Sequence, residues 1–486
     1  MFDIAIIGAG VVGSAIAREL SRFALDIVIL EKGNDVSLGT TKANSAIVHA
    51  GYDAPAHSLK GRLNVKGNAM FDRVCEELDV PFQRVGSLVV AQHEEDIETL
   101  NGLLENGKLL GVPDLRIIDH EEIKRREPKL NDTLIAALFA PTAGIVEPWE
   151  LAIAYCENAM DNGVTLKLNF NVDKIDREDS FFNLYSGRDM VSASTVINCT
   201  GVYADQVYNL VTQADFKIKP RRGQYFLLDK EAHGLVNHVI FPCPSKMGKG
   251  ILIAPTVDGN ILVGPDSQDL DYEDKEATNT TDDRLNYIRE TAAGICSNIP
   301  YKLNITTFAG LRAEPSTGDF IIEESKAVKG FVNVAGIKSP GLSSAPAIAE
   351  EVVEIYKTIK GDLKINETFN PIRRPRVKFA ELSLEEKQKM INENPSYGRV
   401  ICRCEMITEG EIVDAIHRNA GGRTLNGIKR RVRPGAGRCQ GGFCGPRVME
   451  ILKRELGVEM TDVKQEGLES YILTGMTKQG VENDSI

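Results

Sequence analysis

The sequence predicts an α/β protein in which a nucleotide-binding, mostly parallel sheet is interleaved with an antiparallel-sheet α+β domain and followed by a small, mainly helical domain. Three observations predict it. A strand-sized apolar run at the N-terminus ends in G-x-G-x-x-G. The stretch 219–263 alternates polar and apolar residues in short runs, as an antiparallel sheet does. Four of the nine cysteines crowd together late in the chain, at 402, 404, 439 and 444. At 486 residues the chain is long for one core, and a prior of about 150 residues per domain suggests about three.

Ile4-Ala5-Ile6-Ile7 is too short for a helix and is bounded by Gly8, so it reads as a buried parallel strand. Gly8, Gly10 and Gly13 follow. Ile16, Ala17 and Leu20 then recur at helical spacing within 14–23, and a second strand, Ile27–Leu30, is closed by Glu31. This is the order of a Rossmann-type dinucleotide unit. Gly8 permits the tight turn, Gly10 lets the backbone approach a pyrophosphate, and Gly13 lets helix pack on strand. The unpaired amides of the helix N-terminus face the phosphates, and Glu31 is placed to accept from ribose hydroxyls. The fingerprint alone does not choose between NAD and FAD.

The next stretch, 40–51, is rich in small and hydroxyl residues that let backbone lie against a flat cofactor, Thr41, Asn44 and Ser45 among them. His49 is the first acid–base candidate, although position alone favours a histidine satisfied by a loop carbonyl. Helical spacing marks Leu59–Leu78, 94–107 and 151–162, with Pro141 to Pro148 turning the chain before the last of these. Strand candidates are 85–91, 165–170 and 181–185. The strand that runs through Val196 stops at Gly201, as at the edge of a nucleotide site or at any turn. Asp258-Gly259-Asn260 is a hairpin turn and 282–295 a helix. Gly310-Leu311-Arg312-Ala313 is expected to enter a loop. Phe331–Ala335 is a strand, followed by Gly336-Ile337-Lys338-Ser339-Pro340-Gly341 and a helix over about 345–357, which returns the chain to the first domain. No second fingerprint occurs, so electrons collected at one dinucleotide would leave by another route. Residues 370–378, with two prolines and four basic residues, read as a linker; Ser383 with Glu386 and Thr408 with Glu411 form capping boxes beyond it.

Composition is ordinary for a soluble globular protein, at 42% hydrophobic and 26% charged residues. The net charge of −12 is unevenly spread, because 398–454 holds 12 Lys/Arg against 5 Asp/Glu. Nothing points to nucleic acid. No signal-like segment and no apolar run of the length a membrane span needs is present, so a cytoplasmic protein is expected, with peripheral membrane association through a partner left open. Cys75, Cys156, Cys199, Cys243 and Cys296 stand singly and read as core residues. Cys402 and Cys404 form C-x-C, a poor match to the usual zinc spacing, and Cys439 and Cys444 sit among Gly435, Gly437, Gly441, Gly442 and Gly445. Such a loop can aim N–H groups at bridging sulfides, and a helix from Pro446 favours thiolate charge at its N-terminus. The chemistry therefore favours an iron–sulfur cluster over zinc.

Taken together, these stretches resemble known flavoproteins. Residues 1 to about 370 resemble the D-amino-acid oxidase and glycine oxidase type. Within that superfamily, 44–51, Arg222-Gly223-Gln224-Tyr225, Gly310-Leu311-Arg312 and 336–342 resemble the branch of glycerol-3-phosphate dehydrogenases and oxidases and L-2-hydroxyglutarate dehydrogenases. Residues 398 to about 456, with Cys-Arg-Cys and Gly-Arg-Cys-Gln-Gly-Gly-Phe-Cys, resemble the bacterioferritin-associated-ferredoxin type of [2Fe–2S] domain. The same order of domains occurs in anaerobic glycerol-3-phosphate dehydrogenase A subunits.

The resemblance implies FAD, and a cofactor-binding set of Gly8, Gly10, Gly13, Glu31, Thr41, Asn44, Ser45, Val172, Gly201, Gly336, Gly341 and Leu342. It implies His49 as the base beside the flavin, Arg312 and Lys338 as holders of the substrate's anion, and Cys402, Cys404, Cys439 and Cys444 as ligands of a [2Fe–2S] cluster. The expected boundaries are an FAD domain at 1–82, 141–215 and 305–370, a substrate domain at 83–140 and 216–304, a linker at 371–397, the [2Fe–2S] domain at 398–460 and a tail at 461–486. The expected reaction is dehydrogenation of glycerol 3-phosphate, with electrons passed through the cluster to an acceptor protein or subunit. L-2-hydroxyglutarate or an amine are the alternative substrates, and a non-catalytic electron carrier is the alternative of another class.

Overall fold

Ile4-Ala5-Ile6-Ile7 lies at the middle of a parallel run, paired with Ile27–Leu30 on one side and with the end of Asp189–Asn198 on the other. Phe331–Ala335 and Thr165–Lys167 extend the run outward, both in parallel. Ile321–Glu324 lies antiparallel on Phe331–Ala335, and the meander Lys174–Arg177, Phe182–Ser186 joins the first half of Asp189–Asn198. The central strands are apolar throughout because both of their faces are buried, each fully buried isoleucine or leucine contributing about 1.5–3 kcal/mol.

This is a computed structural model, and it describes residues 1–244 and 250–475. The chain forms two units, residues 1–32 with 36–374, and residues 33–35 with 375 onward.

In the first unit the helix Val11–Leu20 packs against both Pro148–Asp161 and Gly341–Lys360. The first begins three residues before the apolar periodicity suggests, since Gly13 already belongs to its first turn. The second begins at Pro148 itself, a residue whose missing N–H costs nothing at a helix start. The last begins at Gly341 and accommodates Pro346.

A second, nine-stranded sheet follows the order Gln268–Asp269, Ile218–Leu228, Ile261–Gly264, Leu252–Pro255, Val239–Pro242, Ser87–Ala91, Ala136–Ala140, Arg116–Asp119. Its neighbours are antiparallel except Val239–Pro242 on Ser87–Ala91, which is parallel. Asn304–Pro315 lies antiparallel along the whole of Ile218–Leu228. That pairing corrects the expectation of a loop at Gly310-Leu311-Arg312-Ala313, which is mid-strand. Gly310 is there for a different reason: a Cβ on it would stand 1.9 Å from the Ala43 carbonyl oxygen, so backbone from 40–51 presses directly onto the strand.

Within the stretch read as a linker, Arg373 is buried in the first unit and pairs with Glu150 and Glu157. Composition shows two prolines and four cations but not which of the cations has carboxylates waiting for it.

The second unit packs Glu409–His417, Leu425–Val432 and Gly445–Leu456 around Ile412, Ile416, Ile428, Val448 and Leu452. Both capping boxes form, at Ser383 and at Thr408. Asp35 belongs to this unit and pairs with Arg430 and Arg431, 2.9 and 2.6 Å away. Burial pushes its carboxyl up, but the two guanidinium groups prevail and hold it below 3.8. Among the described residues no helix is long and apolar enough to cross a membrane.

Candidate active site

Four of the parallel strands end on the same side of the sheet, and each hands over there to a residue of the expected cofactor set. Gly8 follows Phe2–Ile7, Glu31 follows Ile27–Leu30, Gly201 follows Asp189–Asn198, and Gly336 follows Phe331–Ala335. The crevice beyond the carboxyl ends of such strands is where open α/β sheets bind ligands.

Sterics account for the glycines of the turn. Gly8 has φ +105°, and a Cβ on it would lie 2.6 Å from the Cys199 carbonyl oxygen. At Gly13 a Cβ would stand 2.1 Å from the Gly8 carbonyl oxygen. The Glu31 carboxylate accepts from the Ala9 N–H at 2.8 Å, and the Thr41 hydroxyl accepts from the Val11 N–H at 3.1 Å. Glu31 and Thr41 therefore brace the turn as well as lining the crevice. Gly10 caps the first helix without any side chain, so backbone amides form that end. A narrow turn of amides, an acid at the end of the second strand and a cradle that any Cβ would fill together fit FAD.

The remaining cofactor candidates divide. Asn44 donates to the carbonyls of Thr40 and Thr41 and accepts from the Ala46 N–H, so it shapes its own loop. Ser45 Oγ lies 3.2 Å from the Tyr225 hydroxyl. Gly341 opens the last helix, with Leu342 half-buried after it. The Val172 side chain is buried in the core cluster that includes Leu30 and Phe170, and the Phe170 N–H donates to the Glu31 carbonyl at 2.9 Å.

His49 follows the short strand Ile47–Val48. Its N–H donates to Ser343 Oγ at 2.9 Å, and its carbonyl accepts from Asn68 Nδ2 at 3.0 Å. The ring stacks on Phe241, 5.8 Å between centroids, and Nε2 lies 3.3 Å from Ser339 Oγ. His49 also borders a cleft with Tyr52, Asp53, Val89 and Leu103. The backbone contacts fix the residue from both sides while Nε2 faces a hydroxyl.

Arg312 projects from the middle of Asn304–Pro315, with Nη2 donating to the Asp266 carbonyl at 3.2 Å. Gly223, opposite Gly310 in the ladder, makes room for it, since a Cβ there would stand 2.8 Å from Nη2. Among the described residues no carboxylate forms an ion pair with Arg312. Lys338 differs. Its ammonium is paired with Glu314, two residues along the same strand from Arg312, and Arg221 Nη1 lies 3.7 Å from that carboxylate. Lys338 adjoins Ser339 in sequence, so one turn carries both the hydroxyl beside His49 and the ammonium paired with Glu314. Burial raises the pKa of Tyr225, with Arg312 and the Ser45 hydrogen bond opposing. Tyr225 and Ser339 lie inside sequence motifs that assign them no role, and Glu314 lies outside every motif. The one signal Glu314 leaves is its i, i+2 spacing from Arg312, and that signal needs the stretch to be known as a strand.

In the second unit all four late cysteines come together, as two pairs. Cys404 Sγ and Cys439 Sγ are 3.9 Å apart, and Cys402 hydrogen-bonds with Cys444. Among the described residues no three candidate ligands converge on one point as a single ion would need. Two pairs suit two irons. The Cys444 contact and the amides of Gly435, Glu405 and Cys404 outweigh burial and bring Cys402 down to about 6, while the amides of Phe443 and Gly441 lower Cys439. The donors are backbone N–H groups aimed at sulfur, which fit a [2Fe–2S] cluster.

Comparison with known proteins agrees with both cofactors. The model of the family described as FAD dependent oxidoreductase matches residues 3–355, and that of the BFD-like [2Fe-2S] binding domain matches 400–454. A glycerol 3-phosphate dehydrogenase of Caloramator mitchellensis is 54% identical over 482 residues, 99% of this chain and 100% of that protein. A glycerol 3-phosphate oxidase of Mycoplasma genitalium is 32% identical over 378 residues, 76% of this chain and 97% of that one. In structure, the dithionite-reduced L-alpha-glycerophosphate oxidase of Mycoplasma pneumoniae with FAD bound matches with a TM-score of 0.73 at 30% identity, covering 77% of this chain and 99% of that one.

Proposed function

The chain belongs to the FAD dependent oxidoreductase family, and from that premise we propose that it oxidises the secondary alcohol of glycerol 3-phosphate to dihydroxyacetone phosphate. The observation that carries the reading is the 54% identity with a glycerol 3-phosphate dehydrogenase, which runs through both units. Bound FAD supplies a two-electron acceptor for the hydride of the carbinol carbon.

The chain's own residues do the rest. Arg312 binds the phosphate through paired, charge-assisted hydrogen bonds, for which no carboxylate among the described residues competes by an ion pair. Lys338 joins it once the anion displaces Glu314 from its ammonium. His49 takes the hydroxyl proton at Nε2, oriented by Ser339, Ser343 and the Phe241 ring. Gly8, Gly10 and Gly13 hold the pyrophosphate, and the amide end of Gly341–Lys360 favours negative charge near the reacting centre.

Cys402, Cys404, Cys439 and Cys444 would hold the cluster in this proposal, and when bound it would supply a one-electron exit toward an acceptor protein. The two oxidases support that route by contrast, since each is matched almost end to end by about three-quarters of this chain. A domain added to an oxidase-like frame gives electrons a way out that dioxygen would not need.

Anaerobic stopped-flow absorbance tests the reading, with glycerol 3-phosphate and L-2-hydroxyglutarate mixed separately into the holoenzyme. Rapid bleaching of the flavin band by glycerol 3-phosphate, followed by loss of iron–sulfur absorbance, is the expected result. Bleaching by the hydroxy acid alone would overturn the substrate. Bleaching that never reaches the cluster would overturn the route.

A further inference from the structure

The two cysteine pairs of the second unit differ in exposure. Cys402 and Cys444 are buried, whereas Cys404 is exposed and Cys439 partly so. The exposed pair has unusual surroundings. The Phe443 N–H points at the Cys439 sulfur, which fixes that residue beside the pair, and Phe443 is 87% exposed. Met406, two residues past Cys404, is 50% exposed and is held at φ +56°. A left-handed backbone disfavours any residue with a Cβ, so glycine or asparagine would serve the turn better. Folding does not explain why a thioether is held in water there.

The rim of this surface is cationic. Arg403, between the first two cysteines, Arg438, before the third, and Arg447, one turn beyond the fourth, are all exposed. Among the described residues no ion pair engages Arg403 or Arg447. The stretch 398–454 carries 12 basic and 5 acidic residues on a chain of net charge −12. An acidic macromolecule is thus attracted to this face by a chain that otherwise repels it. Phenylalanine, methionine and arginine are also the residue types that protein interfaces favour.

We propose that Phe443 and Met406, ringed by Arg403, Arg438 and Arg447, form the docking face for a small acidic one-electron carrier protein. The inference rests on the proposed exit of electrons through the cluster. Oxidation of one secondary alcohol to a ketone releases two electrons and two protons. The carrier is therefore reduced twice per turnover, one electron at each docking, and the protons pass to solvent.

Isothermal titration calorimetry of the holoenzyme tests this, with an acidic plant-type ferredoxin as probe and basic cytochrome c as counter-probe. Ferredoxin is expected to bind, about tenfold more tightly at 50 mM than at 200 mM salt. Phe443→Ala is expected to weaken it about tenfold, and the double variant Arg403→Glu, Arg447→Glu to abolish it. Flavin bleaching by substrate and the visible circular dichroism of the cluster should stay unchanged in the double variant. Equal binding by wild type and variants, preference for cytochrome c, or binding only to anionic phospholipid vesicles would overturn the proposal. A cluster that substrate reduces while ferredoxin ignores the face would sink the docking site alone; a cluster that substrate never reduces would sink the route beneath it.

Discussion

The crevice of the first unit and the cysteine loop of the second solve one problem, holding a redox group, by opposite means. The crevice is assembled from backbone at 8–13, Glu31, Thr41 and the turns at Gly201 and Gly336, segments scattered along the chain and brought together only by strand order. The loop draws its thiols from two short stretches, 402–404 and 439–444, and lowers Cys402 and Cys439 with amides of residues 404, 405, 435, 441 and 443. A site made of shape fails by steric intrusion; a site made of ligands fails by chemical deletion.

That contrast can be broken from either side. The largest effect is expected from Gly13→Ala, whose new methyl would stand 2.1 Å from the Gly8 carbonyl oxygen. Flavin should be lost from the purified protein while iron is retained, and Cys444→Ala should show the reverse, both read as flavin and iron per chain. Full flavin occupancy in Gly13→Ala would end the steric account.

Next comes Arg312→Ala. Two charge-assisted hydrogen bonds at about 1.5–3 kcal/mol each predict a fall in kcat/KM for glycerol 3-phosphate of about 10²–10⁴-fold, with Arg312→Lys recovering only part. His49→Ala should slow anaerobic flavin bleaching by about 10²–10³-fold with little change in substrate affinity. Normal turnover in that variant would favour an amine substrate, which needs no alcohol-deprotonating base.

In the second unit, Asp35→Asn should destabilise by about 3 kcal/mol, because two arginines lose their buried counter-ion. The sign with pH follows from the lowered carboxyl. Its contribution is full above pH about 4 and is lost as pH falls through the still lower folded value, so the variant's acid melting limb should be flatter than wild type. The smallest effect is expected from Glu314→Gln. Freeing Lys338 of its partner should lower KM for glycerol 3-phosphate a few-fold and sharpen inhibition by inorganic phosphate.

Local rules explain which parts were legible beforehand. The glycine spacing, Leu59–Leu78 and Phe331–Ala335 follow from periodicity and punctuation over a few residues, and the structure has those last two elements with the same bounds. The helix over 14–23 instead begins at Val11, because glycine inside a first turn reads as a breaker until its partner strand is known. Gly310 misled for the same reason: it looks like a loop signal, but it answers to Ala43 across the molecule. Arg373 and Lys338 were legible as cations and illegible as partners of Glu157 and Glu314.

By itself the sequence determined the chemistry on offer: a dinucleotide turn, four thiols, one histidine and a few cations, each specified by residue type at short spacing. Tertiary structure alone decided which of those groups act together. Among the described residues it left Arg312 without a paired carboxylate and gave Lys338 one, set the His49 Nε2 against Ser339, and sorted the thiols into a buried and an exposed pair. The reason is range. Backbone preference acts over a turn or a strand, whereas charge balance, burial and close approach depend on which distant segments the folded chain makes neighbours.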